Sequence, residues 1–181
     1  MRIVVASLCA VVFLVSSSVR AEAQTVPVAE VSVGYAYLYD LQDDISIPAG
    51  WYGDVNVALT DWVGIAAEAS GGYKTDDSFG IPVDLSVHTF MAGPRFTSRN
   101  NAARPFLHVL IGVGRVAAGV SGFTVSSTEF AFQIGGGVDL QMSDRVGLRL
   151  GVDSRRIFSE EFEDARQIRF NVGVTFALGE R

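Results

Sequence analysis

The chain has 181 residues, of which 49% are hydrophobic and only 19% charged, with 19 glycines, one cysteine and a formal balance of −6. This composition excludes a disordered chain, a disulfide scaffold and a basic nucleic-acid binder, since an acidic balance does not favour phosphate backbones. Of the 14 basic residues, only Lys74 is a lysine.

Residues 1–23 read as a cleaved secretory signal. Arg2 supplies the positive start, residues 3–15 are apolar apart from Ser7, and Ala21, Glu22 and Ala23 give a small-x-small cleavage pattern. The apolar run is too short for a membrane anchor and is followed by Ser16, Ser17 and Ser18. Cys9 lies inside that run behind Leu8, which does not suit a lipoprotein site. Cleavage removes Arg2, Arg20, Glu22 and Cys9, leaving residues 24–181 as one thiol-free domain with a balance of −7. No stretch of roughly 20 apolar residues follows, the length a membrane helix needs. Residues 106–120 come nearest, and His108 and Arg115 interrupt them.

Period-two alternation then runs through eight segments in turn. Val31, Val33, Tyr35, Tyr37 and Tyr39 share one face of the first, opposite Glu30, Ser32, Gly34 and Ala36. The second opposes Trp51, Val55, Val57 and Leu59 to Tyr52, Asp54, Asn56 and Ala58, and the third opposes Val63, Ile65, Ala67 and Ala69 to Gly64, Ala66, Glu68 and Ser70. The fourth sets Phe90, Ala92, Pro94 and Phe96 against Thr89, Met91, Gly93 and Arg95. The fifth, the most ambiguous, sets Leu107, Val109, Ile111 and Val113 against His108, Leu110, Gly112 and Gly114. In the sixth, Phe130, Phe132, Ile134, Val138 and Leu140 oppose Glu129, Gln133, Gly135, Gly137 and Asp139. The seventh opposes Val146, Leu148, Leu150 and Val152 to Gly147, Arg149, Gly151 and Asp153. The last opposes Ile168, Phe170, Val172, Val174, Phe176 and Leu178 to Gln167, Arg169, Asn171, Gly173 and Thr175.

Short connections are expected near 60–62, 97–103 and 141–145, and long ones near 40–50, 73–84, 117–127 and 155–166. The long ones carry most of the remaining acids, including Asp43, Asp44, Asp76, Asp77, Glu160, Glu161, Glu163 and Asp164. Short turns on one rim and long polar loops on the other suit a barrel that crosses an outer membrane with its turns in the periplasm. A soluble barrel would instead show a Lys/Glu/Thr-rich face to water. Here the polar face is mostly Gly, Ala and Ser with isolated charges, while the other is bulky and aromatic. Trp51, Tyr37, Tyr39 and Tyr73 at one rim, and Trp62, Phe96 and Phe176 at the other, are candidate interfacial girdles. The expected fold is therefore all-β, an eight-stranded antiparallel up-and-down transmembrane β-barrel.

The final strand reads polar-x-Gly-x-x-aromatic-x-hydrophobic, as Asn171, Gly173, Phe176 and Leu178, before the chain continues to Gly179, Glu180 and Arg181. In this, and in its eight segments over about 28–178, the chain resembles the small OmpA/OmpX-type outer-membrane β-barrels. The resemblance implies residence in the outer membrane of a diderm bacterium, among its lipid and lipopolysaccharide. It also implies handling by periplasmic chaperones and by an insertion machinery that reads the last strand as an assembly signal. A monomer without a cofactor is expected, and without the peptidoglycan-binding domain of longer members.

Alternation places Glu30, Asp54, Glu68, Glu129, Asp139, Asp153, Arg95, Arg149 and Arg169 inside the barrel, with His108 beside them. Pairing Leu59 with Val63 across the turn sets Asp54 opposite Glu68, and the similar turn at Ser143 and Asp144 brings Asp139 opposite Arg149 or one pair away. Two facing carboxylates repel unless a cation stands between them, and arginine suits that task. Three readings of this lumen charge network stand: a salt-bridged plug in a structural or surface-interaction protein, a narrow ion or solute pore, and paired carboxylates for acid/base chemistry. The polar row of Asp84, Ser86 and His88 at the long-loop rim is the one hint of a lipid A acyl hydrolase. His88 and His108 show no metal-ligand spacing, and Gly135, Gly136 and Gly137 lie within a strand, as no phosphate loop does.

Overall fold

A computed structural model describes residues 28–42, 45–76, 83–99, 102–120, 123–158 and 164–179. The segment 1–23 expected to be a signal and most of the loop acids lie outside these residues. The described residues form eight strands: β1 (Ala29–Asp40), β2 (Ile45–Ala58), β3 (Val63–Asp76), β4 (Val83–Thr97), β5 (Ala103–Val120), β6 (Phe123–Gln141), β7 (Val146–Ile157) and β8 (Ala165–Leu178). Each pairs antiparallel with its sequence neighbours, and β8 closes on β1. Closure leaves no sheet edge within the wall, the arrangement that lets backbone N–H and C=O groups pair without water.

The register fixes the barrel's size. Followed around the sheet from Ser32, the pairs run through Asp54, Glu68, Met91, Gly112, Ala131 and Ile157 to Ala165. Ser32 itself pairs with Thr175, ten residues further along β8. Eight strands with a stagger of ten tilt by about 40° and enclose a cylinder of about 8 Å radius to the backbone. Side chains alone fill such an interior.

The face assignment follows the alternation. Val33, Tyr35, Trp51, Val55, Ile65, Phe90, Leu107, Ile111, Phe130, Ile134, Leu150, Phe170, Val172 and Phe176 are exposed around the outside, while Glu30, Asp54, Glu68, Arg95, His108, Asp139, Arg149, Asp153 and Arg169 are buried within. The fifth strand resolves the same way, with Leu107 at 65% exposure and His108 at 3%.

The expected contrast in connection length is corrected. The long connections shrink to 41–44, 77–82, 121–122 and 158–164, because strand continues into them. In β2 the cause is a one-residue shift against β1 between Ala36 and Leu38, which sets Gly50 opposite Ala36 but Ile47 opposite Leu38. The extra residue reverses the parity, so Ile47 is buried while Trp51 is exposed, and the alternation breaks at Pro48 and Ala49. At the other end Thr60 Oγ1 accepts the Val63 N–H at 3.0 Å and Ser143 Oγ accepts that of Val146 at 3.2 Å, closing two tight turns.

The two rims differ instead in strand overhang. β5 and β6 have 18 and 19 residues, against 12 in β1 and β7. The β6–β7 ladder runs to Ala131 and Ile157, with one further bond from the Phe158 N–H to the Phe130 carbonyl at 2.9 Å, so β6 stands above its neighbour from Glu129 upward, paired with β5.

Candidate functional site

The lumen divides along its axis. Towards the rim of tight turns it is charged. Arg149 bonds Asp139 through two nitrogens at 2.6 and 2.7 Å and Asp54 Oδ2 at 2.5 Å, and Arg95 reaches the same Asp54 oxygen at 2.5 Å. Both guanidiniums also stack over Phe106, 4.9 and 4.6 Å from its centroid. Arg169 binds Glu68 in a fork at 2.7 and 2.6 Å and Asp153 Oδ2 at 2.9 and 2.6 Å. His108 lies 2.8 Å from Asp153 through Nε2 and 3.4 Å from Arg95 through Nδ1, joining the two clusters. Asn171 donates to Asp153 at 2.9 Å. Of the nine charged residues expected inside, seven (Asp54, Glu68, Asp139, Asp153, Arg95, Arg149 and Arg169) are brought into this network.

Asp54 and Glu68 stand directly opposite each other, as do Asp139 and Arg149. The carboxylates of the first pair each bind a guanidinium from another part of the barrel, which offsets their mutual repulsion. Glycine makes the room. A Cβ on Gly135 would run into the Asp153 carboxylate, and one on Gly173 into the Tyr52 hydroxyl and the Val33 carbonyl. Gly135, Gly136 and Gly137 sit in an unbroken register, so close packing accounts for the run.

Three arginines escaped the sequence reading. Arg155 fell in an expected loop, yet it is buried in β7 and bonds Gln133 at 3.0 Å and Ser70 at 3.0 Å, with Glu68 at 3.5 Å. Arg99 and Arg104 flank the β4–β5 turn and lie 3.5 and 4.0 Å from Glu30. Extending the β7 parity two residues past Asp153 finds Arg155. No parity finds Arg99, which leaves the strand and donates to the Asp61 carbonyl at 2.8 Å. Among the described residues, the buried charges then comprise six carboxylates (Glu30, Asp40, Asp54, Glu68, Asp139, Asp153) and six arginines (Arg95, Arg99, Arg104, Arg149, Arg155, Arg169). Formal charge cancels before His108 is counted. Glu129, also expected inside, is half-buried near the overhang and accepts from Ser127.

Towards the other rim the lumen is mostly apolar, with buried Asp40 held there by the Gln167 amide at 3.4 Å. Leu38, Ile47, Val87 and Ile157 are each at most 5% exposed, with Ile45, Val116 and Ala165 packed against them. All belong to the strand ends at that rim, so they form a collar above the salt-bridged network. Below it, Ser70 and Thr89 share a hydrogen bond of 2.7 Å.

Outside, Trp62 stacks on Phe96 at 6.0 Å beside the tight turns, and Trp51 and Tyr73 are exposed towards the opposite rim. The row on β4 does not assemble as a triad. His88 Nε2 lies 2.9 Å from the Tyr73 hydroxyl, Asp84 accepts from Thr75 at 2.8 Å, and Ser86 pairs with Tyr73 in the register. Of the residues expected to form an assembly signal, Asn171 and Gly173 lie on the inward face, and Phe176 and Leu178 lie outside at 42% and 51% exposure.

A closed barrel with a lipid-compatible belt outside and paired charge inside defines a transmembrane β-barrel. The sequence profile of the outer membrane protein beta-barrel domain matches residues 6–177, and the chain belongs to that family. It is a protein of the bacterial outer membrane. The fold is similar to that of Neisserial surface protein A, with a TM-score of 0.69 and 12% identity over 83% of this chain and 96% of that one. It is also similar to Ail, the attachment invasion locus protein of Yersinia pestis, at 0.61 and 18% over 82% and 96%. The N-terminal barrel domain of Pseudomonas aeruginosa OprF matches at 0.56 and 13% over 81% and 96%. No curated protein sequence matches the chain.

Proposed function

We propose that the protein is a closed, non-conducting barrel with a structural or surface-interaction role. The observation that carries this reading is the filled lumen: among the described residues six buried acids face six buried arginines, arginines bind every one of these acids but Asp40, which Gln167 holds, and an apolar collar lies at the other end. An ion-selecting pore needs a ring of one sign lining an open path. Here the charges cancel and the arginines bridge carboxylates from strand to strand, which suits a plug. Asp54, Glu68, Asp139 and Asp153 serve as acceptors for Arg95, Arg149 and Arg169, and no carboxylate among them is left to act on a substrate.

Interaction falls to the overhang of β5 and β6, which exposes Val125 at 77% together with Thr124, Ser126 and Thr128. Ail and Neisserial surface protein A, named for attachment and for the surface, present the same kind of fold, which supports this role. In the same reading residues 1–23 are cleaved on export, and periplasmic chaperones deliver the chain to an insertion machinery that reads Asn171, Gly173, Phe176 and Leu178. The protein then works as a monomer among outer-membrane lipid.

Single-channel recording on the barrel reconstituted in a planar bilayer tests the plug. Current at the bilayer baseline is expected, and sustained open channels would overturn it in favour of the narrow pore.

A further inference from the structure

The outward face carries a second basic feature, at the collar end. Arg156 of β7 and Arg166 of β8 are direct register partners. Four residues below them on the same face are Val152 and Phe170, also partners and both exposed to the lipid belt. The pair therefore stands where the belt gives way to headgroups. Like charges directly opposite each other on a sheet are destabilising, so this arrangement calls for an anion. One carboxylate is present: Asp164 accepts from Arg156 Nε at 2.9 Å and from an Nη nitrogen of the same guanidinium. Arg156 also lies over the Phe158 ring at 4.8 Å, and Phe158 packs on Phe130 at 5.6 Å. Exposed Leu41 sits beyond β8, its N–H bonded to the Arg166 carbonyl.

Two guanidiniums framed by apolar side chains at the membrane surface match an anionic headgroup with acyl chains below it. Arginine recognises phosphate through paired N–H donors, and the aromatic neighbour fixes one of the planes. With the rim of tight turns, where β1 starts and β8 ends, towards the periplasm as is usual for such barrels, this site lies in the outer leaflet. We propose that Arg156 and Arg166 bind a phosphate of the outer-leaflet glycolipid, the lipid A part of lipopolysaccharide. This assignment rests on outer-membrane residence and is independent of whether the lumen is plugged.

The test uses the full barrel in zwitterionic phospholipid nanodiscs doped with lipid A, dephosphorylated lipid A or phosphatidylglycerol, with bound lipid read by native mass spectrometry. Retention of lipid A over its dephosphorylated form by roughly tenfold or more is expected from two charge-assisted contacts. The double variant R156Q/R166Q should bring that ratio close to one while keeping heat-modifiable migration, the sign of an intact barrel. D164N, which removes the competing carboxylate, should raise it. Equal retention of both lipid A forms by the native protein would overturn the proposal and leave the pair to the Asp164 carboxylate. An unchanged ratio in a folded double variant would place phosphate elsewhere, and equal retention of phosphatidylglycerol would overturn the glycolipid assignment.

Discussion

The charged and apolar halves of the lumen close the same cylinder by different physics. In the charged half each group depends on a named partner: Arg169 holds Glu68 and Asp153, and Arg149 holds Asp139 and Asp54. In the collar, Leu38, Ile47, Val87 and Ile157 need only fill volume away from water. The first half is specific and intolerant; the second is adaptable.

Substitutions should expose that difference, and the largest effect is expected at Arg169. Arg169→Ala leaves buried Asp153 without a guanidinium and Glu68 with only Arg155 at 3.5 Å, and should cost about 3–5 kcal/mol in urea unfolding followed by the folded gel band. A loss no greater than that of a surface substitution would break the comparison. Current through this variant should stay at baseline, because the collar still seals the opposite mouth; channels from Arg169→Ala alone would show that the collar is no barrier.

A matched pair of conservative changes sharpens the contrast. Arg149→Lys keeps the charge but loses the fork on Asp139 and the bridge to Asp54, and about 1.5–3 kcal/mol is expected. Ile157→Leu conserves volume in the collar and should cost less than about 1.5 kcal/mol by the same assay. If the order reverses, the collar is the more finely fitted half. Gly135→Ala sets a methyl against the Asp153 carboxylate and should cost about 1–3 kcal/mol, with Gly119→Ala, where the nearest atom is 3.6 Å away, as the mild control.

Most of the charged half was legible from alternation and turn geometry, since two tight turns fix the opposition of Asp54 to Glu68 and of Asp139 to Arg149. The collar was not. Ile45 and Ile47 precede the parity shift in β2, and Ile157 lies past two consecutive arginines that look like loop. A one-residue insertion reverses inside and outside without changing composition, so a pattern of period two is blind to it. The cross-barrel contacts, such as Arg169 with Glu68, depend on strand tilt and closure, which no single strand records.

The ten-residue stagger has a consequence for how the chain finds its fold. A slip of one residue between strands would turn arginines towards lipid, and solvation alone rejects it. A slip of two residues keeps every greasy side chain outside and every polar one inside, so the belt cannot tell it from the native pairing. Such a slip would separate Asp139 from Arg149 and carry Asp153 away from the gap at Gly135. The salt-bridged lumen thus acts as a key with teeth, admitting one alignment of the strands out of those the membrane would accept.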